Sequence, residues 1–201
     1  MDRNIILIMV AIILLMISGC SSPPQRDLKI AMQINTVIKF TDNENINSVN
    51  NGNINDLDMQ GNTRLMYAVV REQTDLAKLL IEKGANLESA TPEGFTSLAI
   101  AVVNRQMEMV KLLTEKGANL NSVVNDGSTP LFIAVNMGLE EMVKFLVKQG
   151  ANVNSVNNKG NTPLIIAIET GHIGIANFLI KNGAKVNIKN TNGDIPLYGK
   201  E

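Results

Sequence analysis

Cysteine and histidine each occur once in the 201 residues, as Cys20 and His172, and tryptophan is absent. A lone thiol excludes an intramolecular disulfide. One histidine and one cysteine fall short of the ligand set that a zinc site needs. An enzyme also needs a nucleophile, an acid–base pair or a metal cluster held in a pocket, so no catalytic residue is assigned and no cofactor or metal is expected. Glycine-rich phosphate loops are missing too: Asn50-Asn51-Gly52-Asn53 is glycine-poor and belongs to a repeat. Aromatic residues make up only 3% of the chain while hydrophobic residues make up 45%. That balance predicts a core of Leu, Ile, Val and Ala in thin helical layers. A formal charge of −1 gives no reason to invoke nucleic acid.

The first segment differs from the rest. Asp2 and Arg3 precede an unbroken apolar run from Ile5 to Ile17, followed by Ser18, Gly19 and Cys20. A helix over this run spans about 20 Å, short of a hydrocarbon core of roughly 30 Å. It reads as a secretory signal peptide over residues 1–19, with an uncleaved membrane anchor as the alternative. Ile17-Ser18-Gly19-Cys20 resembles the lipobox of bacterial lipoproteins. The resemblance implies a diacylglyceryl group on the Cys20 sulfur, cleavage before Cys20 and acylation of the new amino terminus; an incidental thiol is the alternative. Two or three acyl chains would hold the protein stably on a membrane. Residues 20–27 then form the lipidated cysteine and a short tether, kept extended by Pro23-Pro24 and reaching at most about 25 Å. The expected location is a bacterial cell envelope, lipid-anchored at the outer membrane or the cell membrane, with the domain facing the periplasm or exterior.

Beyond the tether the chain repeats every 33 residues. Gly61, Gly94, Gly127, Gly160 and Gly193 share one register, and Gly-Ala pairs recur at Gly84, Gly117, Gly150 and Gly183. A fixed period of this length marks a stacked-repeat architecture. In the unit from Val124 to Val156, Thr129 is placed to cap a helix and Pro130 to occupy its first position. Leu131, Ala134 and Val135 share one face. Gly138 separates a second helix starting near Glu140, with Met142, Val143, Leu146 and Val147 as its stripe and Gly150 as its left-handed terminator. In the polar connector that follows, Asn and Gly are expected to supply unusual dihedrals. Lys83, Lys116, Lys148 and Lys181 fall near the ends of second helices, where they complement the macrodipole. Glu140 and Glu141, adjacent on a helix start, are expected to point to different faces. Helices of eight to ten residues do not persist alone, so stability must come from stacking.

Gly127-Ser-Thr-Pro-Leu with Gly150-Ala-Asn-Val-Asn, and Gly160-Asn-Thr-Pro-Leu with Gly183-Ala-Lys-Val-Asn, resemble the ankyrin repeat. The resemblance implies an all-α solenoid of helix-turn-helix units joined by extended β-turn or hairpin loops and preceded by the signal helix. Full units are expected at 58–90, 91–123, 124–156 and 157–189, with a degenerate capping repeat at 28–57 and a partial repeat at 190–201. The family pattern is broken where Arg64 and Ser97 replace the helix-starting proline, and where Glu72 and Arg105 replace the inter-helix glycine. These first two units are expected to be locally less rigid. The last full unit is expected to be only half covered by residues 190–201, either closed by a minimal cap or completed by a partner or further sequence. The resemblance implies a structural role for His172, its imidazole expected to bond neighbouring backbone.

By the same resemblance, partners meet the concave face of turn tips and first helices. The tip residues are Met59, Gln60 and Asn62; Pro92, Glu93 and Phe95; Asn125, Asp126 and Ser128; Asn158, Lys159 and Asn161. The helical ones are Val70, Arg71, Val103, Asn104, Asn136, Met137, Glu169 and Thr170. Phe95, Val103 and Met137 are expected as exposed apolar anchors, with the packing of Phe95 against a neighbouring turn as the alternative. The resulting expectation is a monomeric, non-catalytic scaffold that binds an unidentified protein partner and meets the membrane through lipid on Cys20. An immunity or inhibitor protein that occludes a toxin or envelope enzyme is the second reading.

Overall fold

The computed structural model describes residues 53–191 and Gly193. The segments expected as signal peptide (1–19), lipidated Cys20 with its tether (20–27), nearly all of the expected capping repeat (28–57) and most of the expected partial repeat (190–201) lie outside the described residues. Eight helices form four pairs among them: α1 (Arg64–Val70) with α2 (Thr74–Glu82), α3 (Ser97–Val103) with α4 (Met107–Glu115), α5 (Pro130–Asn136) with α6 (Glu140–Lys148), and α7 (Pro163–Glu169) with α8 (Ile173–Lys181). Among the described residues the fold is all-α, as the resemblance implies.

Each first helix opens on a threonine in extended backbone. Its hydroxyl oxygen accepts the amide three residues on: Thr63 from Met66 at 3.2 Å, Thr96 from Ala99 at 3.3 Å, Thr129 from Phe132 and Thr162 from Ile165, both at 3.2 Å. These bonds satisfy amides that the helix itself leaves unpaired. Pro130 and Pro163 take the first helical position, where no amide hydrogen is needed. At α1 the Met66 sulfur in return accepts the Thr63 amide at 3.4 Å.

First helices of successive units touch one another, and each also packs on its own second helix. Contact on several sides explains why Leu98 to Val102 and Pro130 to Val135 are buried without interruption. Ala68, Ala101, Ala134 and Ala167 are fully buried at the shared position, where a methyl group lets neighbouring backbones approach. The second helices bury one stripe each, such as Met142, Val143 and Leu146 on α6. A fully buried leucine of this kind contributes roughly 1.5–3 kcal/mol, and helices of seven or nine residues have no stability without it.

The connectors depart from the expected chemistry. Glu72 and Arg105 are the described non-glycine residues with positive φ, so the connector asparagines adopt ordinary dihedrals. Their side chains join one unit to the next instead. Asn55 Oδ1 accepts the Asn86 amide at 2.7 Å, Asn121 Oδ1 that of Asn152 at 2.9 Å, and Asn154 Oδ1 that of Lys185 at 2.8 Å. Glu88 performs the same task for Asn119 at 2.8 Å. No strand forms among the described residues; an isolated antiparallel bridge, Ala90 to Thr96, is the trace of a hairpin.

Candidate protein-docking face

The turns between units close by a backbone bond across five residues: Asp58 to Asn62 at 3.0 Å, Thr91 to Phe95 at 3.0 Å, Val124 to Ser128 at 3.0 Å and Asn157 to Asn161 at 3.1 Å. A glycine with φ between 70° and 86° makes the sharp reversal in each. Side chains complete the turn. Asn157 Oδ1 accepts the amides of Lys159 and Asn161, both at 3.0 Å, and Asp58 Oδ1 accepts those of Gln60 and Asn62, both at 2.8 Å. Val124 offers no acceptor at that register, and Asp126 Oδ1 takes the Ser128 amide at 2.8 Å in its place.

From the second unit onward, successive tips are bonded to each other; Pro92, at the equivalent place in the second tip, has no amide hydrogen to give the first. The Asn125 amide donates to the Glu93 carbonyl at 3.0 Å, Asn158 to Asp126 at 2.8 Å and Thr191 to Lys159 at 3.0 Å. Side chains run beside these bonds: Asn125 Nδ2 reaches the Pro92 carbonyl at 3.0 Å and Asn158 Nδ2 the Asn125 carbonyl at 2.9 Å. This ladder holds equivalent positions of neighbouring units side by side, so any residue type recurring at the 33-residue period becomes a row.

The predicted anchors divide. Phe95 is not an exposed group: only 8% of its surface is accessible and it belongs to the core. Asn62, Ser128 and Asn161 at the same register are also buried. The third position of each tip points inward because the five-residue bond folds it beneath the turn. Val103 and Met137 are half-buried and packed against the core. Asn104, Asn136 and Met137 lie together at the ends of α3 and α5, half-exposed, while Arg71 and Glu169 are exposed at the ends of α1 and α7. Those six side chains present one edge of the first-helix layer to solvent.

Sequence reasoning missed a second row. Leu57, Val123 and Val156 have 57%, 57% and 52% of their surface accessible, and Ala90 is exposed between them. They stand one residue before the turn closure, 33 positions apart. Met59, already assigned to a tip, is 96% accessible. The period itself could have revealed the row, since an aliphatic residue in a polar connector has no reason to recur unless it packs or binds.

Two polar clusters lie outside these rows. The Tyr67 hydroxyl donates to Asp58 and accepts from Asn62 Nδ2 at 3.2 Å. Burial raises the phenol to about 12, helped by the adjacent Asp58 carboxylate. Burial also resists ionisation of Asp58, but hydrogen bonds from Tyr67 and from the Asn62 and Gln60 amides outweigh it and leave the carboxyl below its ordinary value. On α6, Glu140 and Glu141 do not act separately: Lys144 Nζ lies 2.9 Å from both. A lysine three and four residues on reaches both carboxylates despite their different starting directions.

His172 packs its ring over Gly138 of the preceding unit, where a Cβ would come within 2.6 Å of the imidazole. Its side chain makes no capping bond to α8, so packing rather than backbone bonding accounts for its place. Among the described residues, no group of three His, Cys, Asp or Glu side chains is placed to hold a metal. The face is a contact surface of mixed aliphatic and polar groups. No curated protein matches the chain. A family model described as ankyrin repeats (3 copies) matches residues 29–124 and 118–190, the larger part of the sequence. With the helix pairs, turn ladder and period in agreement, the chain belongs to the ankyrin-repeat family.

Proposed function

We propose that the protein is a non-catalytic docking scaffold, anchored in a bacterial envelope by lipid on Cys20, whose turn tips and first-helix ends bind another protein. Ankyrin repeats are protein-interaction modules, which supports the binding half of this reading. The observation that carries it is the ladder between the second, third and fourth tips, which sets side chains at the 33-residue period into rows with aliphatic members. Such rows offer preformed contact area on backbone that need not rearrange. Support for the anchor is the order of apolar run, small pair and cysteine at Ile5 to Cys20. Acidic Glu93, Asp126 and Glu169 are offset by Arg71 and Lys159 on the same face, so no single-sign field favours an inhibitor of a basic toxin.

The test of docking is affinity capture from envelope extracts with the wild-type chain and with Arg71→Glu/Glu169→Arg, two exposed positions whose exchange leaves the core untouched. The variant is expected to keep its helical circular dichroism and lose the captured partner at least tenfold. Equal recovery of the same partner would defeat the assignment of this face. Radiolabelled fatty acid is expected in the wild type and absent from Cys20→Ala; equal incorporation removes the anchor.

A further inference from the structure

We infer that the aliphatic row Leu57, Ala90, Val123, Val156 takes an amphipathic α-helix of a partner protein, laid along the stack with an apolar residue at every seventh position. This rests on the docking role proposed above and specifies the partner's form. The first helices of successive units are in contact, and packed helices lie about 8–10 Å apart. The turn ladder joins the second to fourth units, and Asn55 Oδ1 ties the connector of Leu57 to that of Ala90 through the Asn86 amide, so the row repeats at about that interval.

The interval selects the occupant. Seven residues of an α-helix advance about 10.5 Å and return to the same face within about 20°. A β-strand covers about 10 Å in three residues, but the third side chain points to the opposite face, so alternate contacts would be lost. Polyproline II returns to the same face after about 9.3 Å. Its usual receptors are aromatic-lined grooves, whereas this row is wholly aliphatic in a chain with 3% aromatics. Leucine and valine at a helical interval suit another helix.

Charge fixes the direction. Three residues beyond each member of the row, at the turn apex, stand Gln60, Glu93, Asp126 and Lys159. Opposite them a bound helix needs basic side chains beside its two central apolar residues and an acidic one at the end near Val156. A helix run in reverse would set its acid beside Gln60 and face Lys159 with no counter-charge.

The probe is a 24-residue helix-forming peptide in an Ala/Gln background. It carries Leu at every seventh position, Lys beside the two central leucines, Glu at the Val156 end and one Trp. Because the full-length chain has no tryptophan, fluorescence reports the peptide alone. Saturable binding is expected, weakened at least tenfold by Val123→Glu/Val156→Glu and by Glu93→Lys/Asp126→Lys, with unchanged circular dichroism for both variants. Reversing the peptide's charge order should weaken it similarly. No binding at millimolar peptide, indifference to both double variants, or equal binding by a proline-rich peptide with Leu at every third position would each overturn the inference. If the envelope partner is still captured and lost on Arg71→Glu/Glu169→Arg, only the helical form of the partner fails. If capture is indifferent as well, the docking face itself fails.

Discussion

Glu72 and Arg105 sit where the other two units have Gly138 and Gly171, and they adopt the same left-handed backbone, with φ of 55° and 59°. The loss of glycine therefore leaves the turn unchanged and places its cost in the backbone, about 1–2 kcal/mol for each side chain held there. Glu72→Gly and Arg105→Gly are each expected to raise stability by about 1 kcal/mol in urea denaturation; a loss at both positions would show that their side chains hold the turns. Tyr67 gives a second test at this scale. Its folded value of about 12 lies above the ordinary 10.0, so the neutral phenol is favoured by folding. That contribution is whole below pH 10 and is lost as pH rises from 10 through 12. Asp58 behaves oppositely: its lowered value adds stability above the ordinary 3.8, lost as pH falls through the folded value. Tyr67→Phe should cost about 1 kcal/mol at neutral pH, and the gap from wild type should shrink above pH 10. A gap that stays constant to pH 12 would remove the Asp58 bond as its source. Motif reading flagged Glu72 and Arg105 as exceptions, but the sign of their φ was not legible, because it depends on the two helices they must join.

The helices show where the repeat pattern is met by different chemistry. At the start of α3, Ser97 stands in the place of Pro130 and Pro163, fully enclosed, and its Oγ has no hydrogen-bond partner. A buried unpaired hydroxyl carries a penalty of about 1–3 kcal/mol. Thr96 before it has φ −77° and ψ 166°, a conformation that proline tolerates in its predecessor. Ser97→Pro should therefore stabilise the protein, by about 1 kcal/mol or more and a few degrees in Tm; a fall in Tm would mean that the α3 entry differs from that of α5. The inter-helix turn of the third unit is under the opposite constraint. Gly138 has φ 67° and the His172 ring above it, so Gly138→Ala meets both a backbone and a steric penalty. His172→Ala in the same molecule should recover the steric part only, and full recovery would show that the left-handed backbone costs nothing. Boundaries of these helices were close to legible from Thr-x-Leu and Gly-Ala signals. The placement of Phe95 was not: it follows from the five-residue turn bond, which a list of tip positions does not contain.

Across the described stack, units are joined twice, by core contact between first helices and by side-chain acceptors from the connectors. Asn154 accepts the Lys185 amide and donates to the Gly183 carbonyl at 3.0 Å, bridging to the end of the last helix pair. Asn154→Ala is expected to cost about 1–2 kcal/mol. Hydrogen exchange should rise first at Ala184 and Lys185, since nearest-neighbour coupling governs stacked repeats; uniform loss of protection would instead indicate one global unfolding unit. Period, fold class, helix pairing and the aliphatic make-up of the core were set by the sequence alone, because each repeats locally and helical spacing turns that repetition into a buried face. Tertiary structure decided which recurrent residues reach solvent. The same interval yields Phe95 beneath a turn and Val123 outside it, and only the five-residue bond that closes each turn determines which side of the chain is covered.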